Sequence, residues 1–335
     1  EIWQTLTTWT AEGRRFAVAR VLATWGSSPC RPGSALLVDA EGQVAGAVSA
    51  GCVEAAVIEE AIEIAKGAPA KALNFGVADE TAWSVGLSCG GTLSVFVESG
   101  SNWPPLEVGR PRLLLTRIRP APPTHAILQP GESVPSNIAA ATVPPDLPSV
   151  ITRCFDARRC EVYETDAEAW FLHYLPRSDR LVLVGAGQIA EQLVALAQEL
   201  GFETLVIDPR RVFADTQRFA VQPDHLLAQW PQQALEDIEL HADTYAVVLT
   251  HDPKIDDPAL HGLLRTDIRY IGALGSRRTH EKRRTRLMAA GFSKTEIDRI
   301  RGPVGLDLGA ESPAEIALSI LAEIVATKRG RDGKR

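Results

Sequence analysis

The chain has 335 residues, a formal net charge of -7 and ordinary globular composition, 45% hydrophobic and 23% charged. That length leaves room for two domains with separate cores, and the acidic balance excludes a general nucleic-acid binder, whose phosphate contacts need clustered Lys and Arg. No apolar run reaches the roughly 18 residues that span a bilayer, and the opening Glu1-Ile2-Trp3-Gln4 carries no charged-then-apolar leader, which predicts a cytoplasmic protein without a membrane partner.

In chain order, a helix is predicted over residues 3–9 and a strand over 15–25, followed by the turn-rich Gly26-Ser27-Ser28-Pro29-Cys30-Arg31-Pro32-Gly33. Residues 35–38 and 43–49 read as a hairpin that runs straight into Ala50-Gly51-Cys52-Val53-Glu54. From Val53 the period becomes helical, with Val53, Val57, Ile58, Ile62 and Ala65 inward and Glu54, Glu59, Glu60 and Glu63 outward until Gly67. Cys52 thus falls at or just before a helix N-terminus, where a thiol's pKa is lowered. A strand at 71–75 leads through a loop to Gly86-Leu87-Ser88-Cys89-Gly90-Gly91 and a strand at 92–98. Half of the 22 prolines then lie between Pro104 and Pro148, so residues 101–177 are expected to be a connector with short extended pieces, one near 125–128. The five cysteines are odd in number and scattered, which fits neither a disulfide framework nor a zinc site.

Leu181 to Val184 form a short apolar run ending in Gly185-Ala186-Gly187-Gln188-Ile189-Ala190. A helical stripe of Ile189, Leu193, Leu196, Ala197 and Leu200 follows, then Gly201, a second apolar run over 204–207, and Asp208. Strand, glycine turn, helix, strand and acid in this order predict a Rossmann-type unit. Its helix N-terminus would face an anion, and Asp208 would take a ribose. A strand over 245–250 ends in Thr250-His251-Asp252-Pro253, polar groups at the carboxyl edge where such sheets bind ligands. A further short strand at 270–271 precedes Gly272-Ala273-Leu274-Gly275-Ser276-Arg277-Arg278, where Arg277 could clamp a phosphate. Lys282, Arg283, Arg284 and Arg286 read as a solvated or partner-facing stripe. The last helix opens with a capping box, Ser312 with Glu315, and Pro313 at its first position. The fold class is therefore α/β, with an N-terminal α+β domain over 1–100, the connector over 101–177, a Rossmann-like doubly wound parallel sheet over 178–330 and a basic tail at 331–335.

Taken together, Gly26-Ser27-Ser28-Pro29, Ser49-Ala50-Gly51-Cys52-Val53-Glu54, Gly86-Leu87-Ser88-Cys89-Gly90-Gly91, the Gly185 turn, Thr250-His251-Asp252-Pro253, Gly272 to Arg278 and Gly305-Leu306-Asp307-Leu308-Gly309-Ala310 resemble the xanthine dehydrogenase accessory proteins, the XdhC/CoxI family. The resemblance covers nearly the whole chain. It implies a non-catalytic accessory protein that binds the molybdenum cofactor and delivers it to an apo molybdenum hydroxylase, such as xanthine or carbon monoxide dehydrogenase. It also implies cofactor biosynthesis or sulfuration enzymes as further partners.

A pterin cofactor carries a phosphate and sulfur-bound molybdenum. The turn at Ser49 and Gly51 offers N-H groups to the anion, while Cys52 and Cys89, the latter beside Gly90, offer soft donors to the metal. Gly185, Gly187, Asp208, His251, Asp252 and Arg277 complete the candidate cofactor-binding set. The competing expectation is an NAD(P)-dependent oxidoreductase built on Gly185, Gly187 and Asp208, with Arg210 and Arg211 leaving room for a 2′-phosphate; a third is an interaction scaffold with both ligand sites empty. A homodimer is expected from the surface left by the connector and the apolar last helix.

Overall fold

A computed structural model describes residues 2–26, 30–49, 51, 53–76, 91–105, 110–135, 138 and 143–331. The chain divides into two compact units, residues 1–177 and 178–335.

In the first unit, helix α1 (Ile2–Ala11) precedes a five-stranded antiparallel sheet ordered β3-β2-β1-β5-β4. Here β1 is Phe16–Trp25, β2 Ala35–Asp39, β3 Val44–Gly46, β4 Lys71–Phe75 and β5 Thr92–Ser99. The strand period of two splits β1 between two layers. Ala17, Ala19 and Val21 pack with Val57, Ala61 and Ile64 of helix α2 (Glu54–Ala65). Phe16, Val18 and Leu22 turn to the opposite face, where they meet Trp103, Leu114 and Phe171. Those partners belong to or border a four-stranded antiparallel sheet ordered β7-β6-β9-β8, with β6 at Arg112–Arg119, β7 at Thr124–Leu128, β8 at Glu161–Glu164 and β9 at Ala169–Leu175. Helix α3 (Leu147–Ala157) closes its far face through Val150, Ile151 and Cys154.

Residues 101–177 are thus more than the expected proline-rich connector. The prolines punctuate elements rather than interrupt them. Pro111 precedes β6, Pro120, Pro122 and Pro123 sit in the turn before β7, and Pro148 occupies the first turn of α3, where no N-H donor is needed.

The second unit is a six-stranded parallel sheet ordered β12-β11-β10-β13-β14-β15, the Rossmann-type arrangement predicted for it. The chain starts centrally at β10 (Arg180–Val184) and winds outward through β11 (Glu203–Ile207) and β12 (His225–Leu227). It then crosses to the other side of β10 for β13 (Thr244–Val248), β14 (Tyr270–Ala273) and β15 (Ile300–Arg301). Helices α4 (Gln188–Glu199) and α9 (Pro313–Lys328) cover one face, with Leu193, Ala197, Ile320 and Ile324 on Leu181, Leu183 and Val247. The other face carries α5 (Pro231–Asp237), α6 (Pro253–Leu264), α7 (Arg277–Ala289) and α8 (Lys294–Ile297) on Val182, Val184, Ala246 and Val248. Leu200, expected in the buried stripe, is the C-cap of α4 and is 52% exposed, because the chain is already leaving the helix for Gly201. The capping box at Ser312 and Glu315 forms as predicted.

Candidate functional site

In the first unit, strand direction gathers the sequence motifs. β1 ends at Trp25, β2 starts at Ala35, β3 ends at Gly46, β4 ends at Phe75 and β5 starts at Thr92. Because every neighbouring pair is antiparallel, all five termini point to the same end of the sheet, where Trp25 pairs with Thr92 and Phe75 with Leu93, while Ala35 pairs with Arg20, five residues before the end of β1. The connections that carry Cys30 and Cys89 therefore start and finish at that end, and the turn that carries Cys52 leaves from it. Cys52, Cys89 and Gly90 themselves lie outside the described residues, as do Ser27, Ser28, Pro29 and Ala50.

The described part of the Ser49 to Glu54 turn is closed on itself. Glu54, expected to point outward, folds back so that its carboxylate accepts the Ser49 N-H at 2.7 Å, the Gly51 N-H at 2.9 Å and the Ser49 hydroxyl. The Ser49 Oγ in turn accepts the Val53 N-H at 3.2 Å. Burial opposes ionisation of Glu54, but the donors of Ser49 and Gly51 outweigh it and hold the carboxyl below its usual range. The Ser49 and Gly51 N-H groups, expected to receive a phosphate, are thus taken by the chain's own carboxylate. A serine five residues ahead of a glutamate is a stretched form of the capping-box spacing, and that signal could have revealed the contact. Cys30 lies alongside: its Sγ is 3.9 Å from the Ala47 carbonyl, and burial first, then the Glu54 charge, push its thiol upward.

At the switch point of the second unit, Gly185 has φ of +109°, and a Cβ there would stand 2.6 Å from the Thr250 methyl. Both reasons demand glycine. A Cβ on Gly187 would meet nothing within 4 Å, so the space over the start of α4 is open. Asp208 does reach this turn, but as a fully engaged acid. Its Oδ2 accepts from the Ala186 N-H at 2.9 Å and Arg210 Nη2 at 2.7 Å, and its Oδ1 from the Arg210 N-H and Nε, each at 2.9 Å. Burial disfavours its charge, yet Arg210 and these amides hold its pKa below the usual value.

His251 takes a left-handed φ of +62°, Asp252 caps α6 by accepting the Lys254 N-H at 2.9 Å, and Arg277 is exposed at the start of α7. The structure therefore brings Gly185, Thr250 and Asp208 to one carboxyl edge and leaves Arg277 on the surface.

Arg283 corrects the expectation of a solvated basic stripe. It is 1% exposed, with Nη2 donating to the Leu274 carbonyl at 2.9 Å and 3.6 Å from the buried Asp256, which accepts from the Thr250 hydroxyl. Arg284 and Arg286 pair with Asp298 and Asp257. A helix that reads as uniformly charged conceals one inward arginine, because sequence periodicity marks apolar faces only.

The first unit hides another charged group that was not singled out in the sequence. Arg20 on β1, with no exposure, donates to Glu98 at 2.6 Å and Thr116 at 2.9 Å and lies 4.7 Å from the Trp103 ring centre. His125 stands 2.9 Å from the other Glu98 oxygen. Among the described residues, no group of three His, Cys, Asp or Glu side chains is placed to hold a metal ion.

Comparison with known proteins gives two family matches. The XdhC and CoxI family model matches residues 9–76, and the XdhC Rossmann domain matches residues 181–324, together well over half of the chain. A probable xanthine dehydrogenase subunit from Bacillus subtilis is 26% identical over 93% of both chains. The molybdenum cofactor insertion chaperone PaoD of Escherichia coli is 26% identical over 88% of this chain and 78% of its own. A crystal structure of a xanthine dehydrogenase from Bacillus halodurans shares the fold, with TM-score 0.76 and 23% identity over 98% of this chain and 96% of that one.

Proposed function

Because the chain belongs to the XdhC and CoxI family, we propose that it is a maturation chaperone that binds the molybdenum cofactor as cargo and delivers it to an apo molybdenum hydroxylase of the xanthine dehydrogenase kind. The observation that carries this reading is that the described strand termini flanking the three cysteine-bearing connections point to the same end of the five-stranded sheet. Likeness to a molybdenum cofactor insertion chaperone over most of both chains supports it. Soft thiolate donors suit a sulfur-ligated molybdenum, and Cys52 and Cys89 are the residues assigned to it. Ser49 and Gly51 belong to the same site by forming its turn. A carbon monoxide dehydrogenase remains within the proposed range of recipients, with cofactor-sulfurating enzymes as upstream partners. A homodimer in the cytoplasm is part of the same reading, and light scattering at micromolar concentration giving a monomer mass would remove that part.

The test is direct. Protein purified from a molybdenum-replete host should carry molybdenum and the absorption of a bound pterin, and should restore activity to an apo-hydroxylase. Metal-free protein with no pterin absorption refutes the chaperone reading. The alternative, an NAD(P)-dependent oxidoreductase, draws on the open space over Gly187 and the parallel strand order. Micromolar binding of a nicotinamide nucleotide together with turnover of an alcohol or aldehyde would favour it instead.

A further inference from the structure

In the turn between β3 and α2, the described donors of Ser49 and Gly51 meet on the Glu54 side chain. Glu54, the first residue of α2, accepts three hydrogen bonds from Ser49 and Gly51, and Ser49 Oγ relays the arrangement to Val53. Gly51 has φ of +97°, and a Cβ there would touch nothing within 4 Å. Its glycine thus serves the backbone conformation, and no neighbouring group crowds the position. A carboxylate at a helix N-terminus is also favoured by the helix dipole. Backbone donors bonded in this way are unavailable to a second anion unless the first leaves.

We propose that Glu54 is the positioning residue of the cofactor-site turn: its carboxylate, not the ligand's phosphate, satisfies the Ser49 and Gly51 donors and fixes the backbone at Gly51 and Val53. The ligand's phosphate is then received by groups other than these two amides. This inference rests on the chaperone reading for its meaning, but its geometry is testable without cargo.

Three variants of the full chain separate the possibilities. Glu54→Ala removes the acceptor, Glu54→Gln keeps the length but brings an NH2 against donors, and Glu54→Asp restores a shorter carboxylate. Amide exchange read residue by residue by NMR should show Ser49 and Gly51 protected in the parent and exchanging at least about tenfold faster in Glu54→Ala and Glu54→Gln. Glu54→Asp should recover part of the protection, and amides in the middle of α2 should not change in any variant. Inorganic phosphate at millimolar concentration should leave the Ser49 and Gly51 amide shifts of the parent unmoved. Unchanged exchange in both Glu54→Ala and Glu54→Gln, or a phosphate-induced shift of these amides in the parent, overturns the proposal.

Cargo retention is read on the same proteins. Parent protein that holds molybdenum cofactor while Glu54→Ala, with an opened turn, holds as much also overturns the positioning role and leaves the chaperone reading standing. Parent protein that holds none overturns the chaperone reading, while the exchange result still decides how the turn is built.

Discussion

Arg210 lies fork-on across Asp208, with Nε 2.9 Å from Oδ1 and Nη2 2.7 Å from Oδ2. Bidentate pairing of this kind is strong and directional, and here it covers the acid that a Rossmann unit normally offers to a ribose diol. NAD should therefore give no measurable heat in calorimetry with the parent protein. Arg210→Ala should uncover Asp208 and lower stability by about 1 kcal/mol, since a half-exposed arginine is screened by solvent. Tight NAD binding by the parent would show that the fork opens readily and that this reasoning is wrong.

Gly185→Ala tests how closely the switch point is packed. The new Cβ would lie 2.6 Å from the Thr250 methyl at a φ of +109°. Overpacking and a left-handed alanine together should cost about 2–4 kcal/mol in urea unfolding. Adding Thr250→Ser removes the methyl and should recover the steric part only. Full recovery would mean that backbone strain contributes nothing.

How far the sequence could be read depended on which physical signal each residue left. The parallel sheet was legible because its strands are continuous apolar runs, each leading into a turn and an amphipathic helix, as at Leu181 to Leu200. The sheet over 112–175 was obscured by prolines whose positions between elements cannot be told from positions within them. In the candidate site, Ser49, Gly51 and Asp208 were found by motif, but their engagement was not. Glu54 answers Ser49 through a stretched capping-box spacing that the usual three-residue rule passes over, and Arg210 reaches Asp208 through a side-chain rotamer that no spacing rule specifies. Arg20 and Arg283 were hidden for a related reason, since a buried charge is visible only once its partners from other elements are in place.

Glu98 joins Arg20 to His125, and removing one partner leaves a buried charge unpaired. Burial alone opposes the Glu98 carboxylate, and Arg20 beside it is the largest influence holding its pKa down. Arg20→Met should cost about 3–5 kcal/mol in urea unfolding, and Glu98→Gln a comparable amount. The double variant should cost clearly less than the two losses added, because each single change already breaks the pair. Strict additivity would show that the two side chains act independently.

His173 gives the first unit a pH dependence of known sign. It is 4% exposed, lies between the rings of Trp3 and Phe171, and burial, then the Arg20 charge, push its pKa down to about 3. The folded chain keeps this imidazole neutral, while the unfolded chain takes up a proton below about pH 6.5. Stability should consequently fall as the pH drops from about 6.5 toward 3, by up to about 1.4 kcal/mol per pH unit from this group. Between pH 6.5 and 4.5, before the carboxylates titrate, His173→Gln should flatten the slope of unfolding free energy against pH. An unchanged slope would place the proton uptake elsewhere.

Cys30 reports on the charge of Glu54 from outside the turn. Burial is the first cause of its raised pKa, the Glu54 carboxylate the second, and a hydrogen bond with Ser34 opposes both. Two substitutions should then move its titration in opposite directions. Glu54→Gln removes a negative charge and should shift the midpoint of Cys30 alkylation to lower pH, whereas Ser34→Ala removes a stabiliser of the thiolate and should shift it upward. Following the Cys30 peptide by mass spectrometry isolates it from the other four cysteines. Loosening of the turn alone would expose the thiol and also lower its midpoint in Glu54→Gln. That route predicts added faster exchange but no dependence on salt, while the charge route weakens as ionic strength rises. A midpoint in the parent that falls toward the Glu54→Gln value as salt is added would therefore assign the effect to the carboxylate, and a salt-independent gap would assign it to the opened turn.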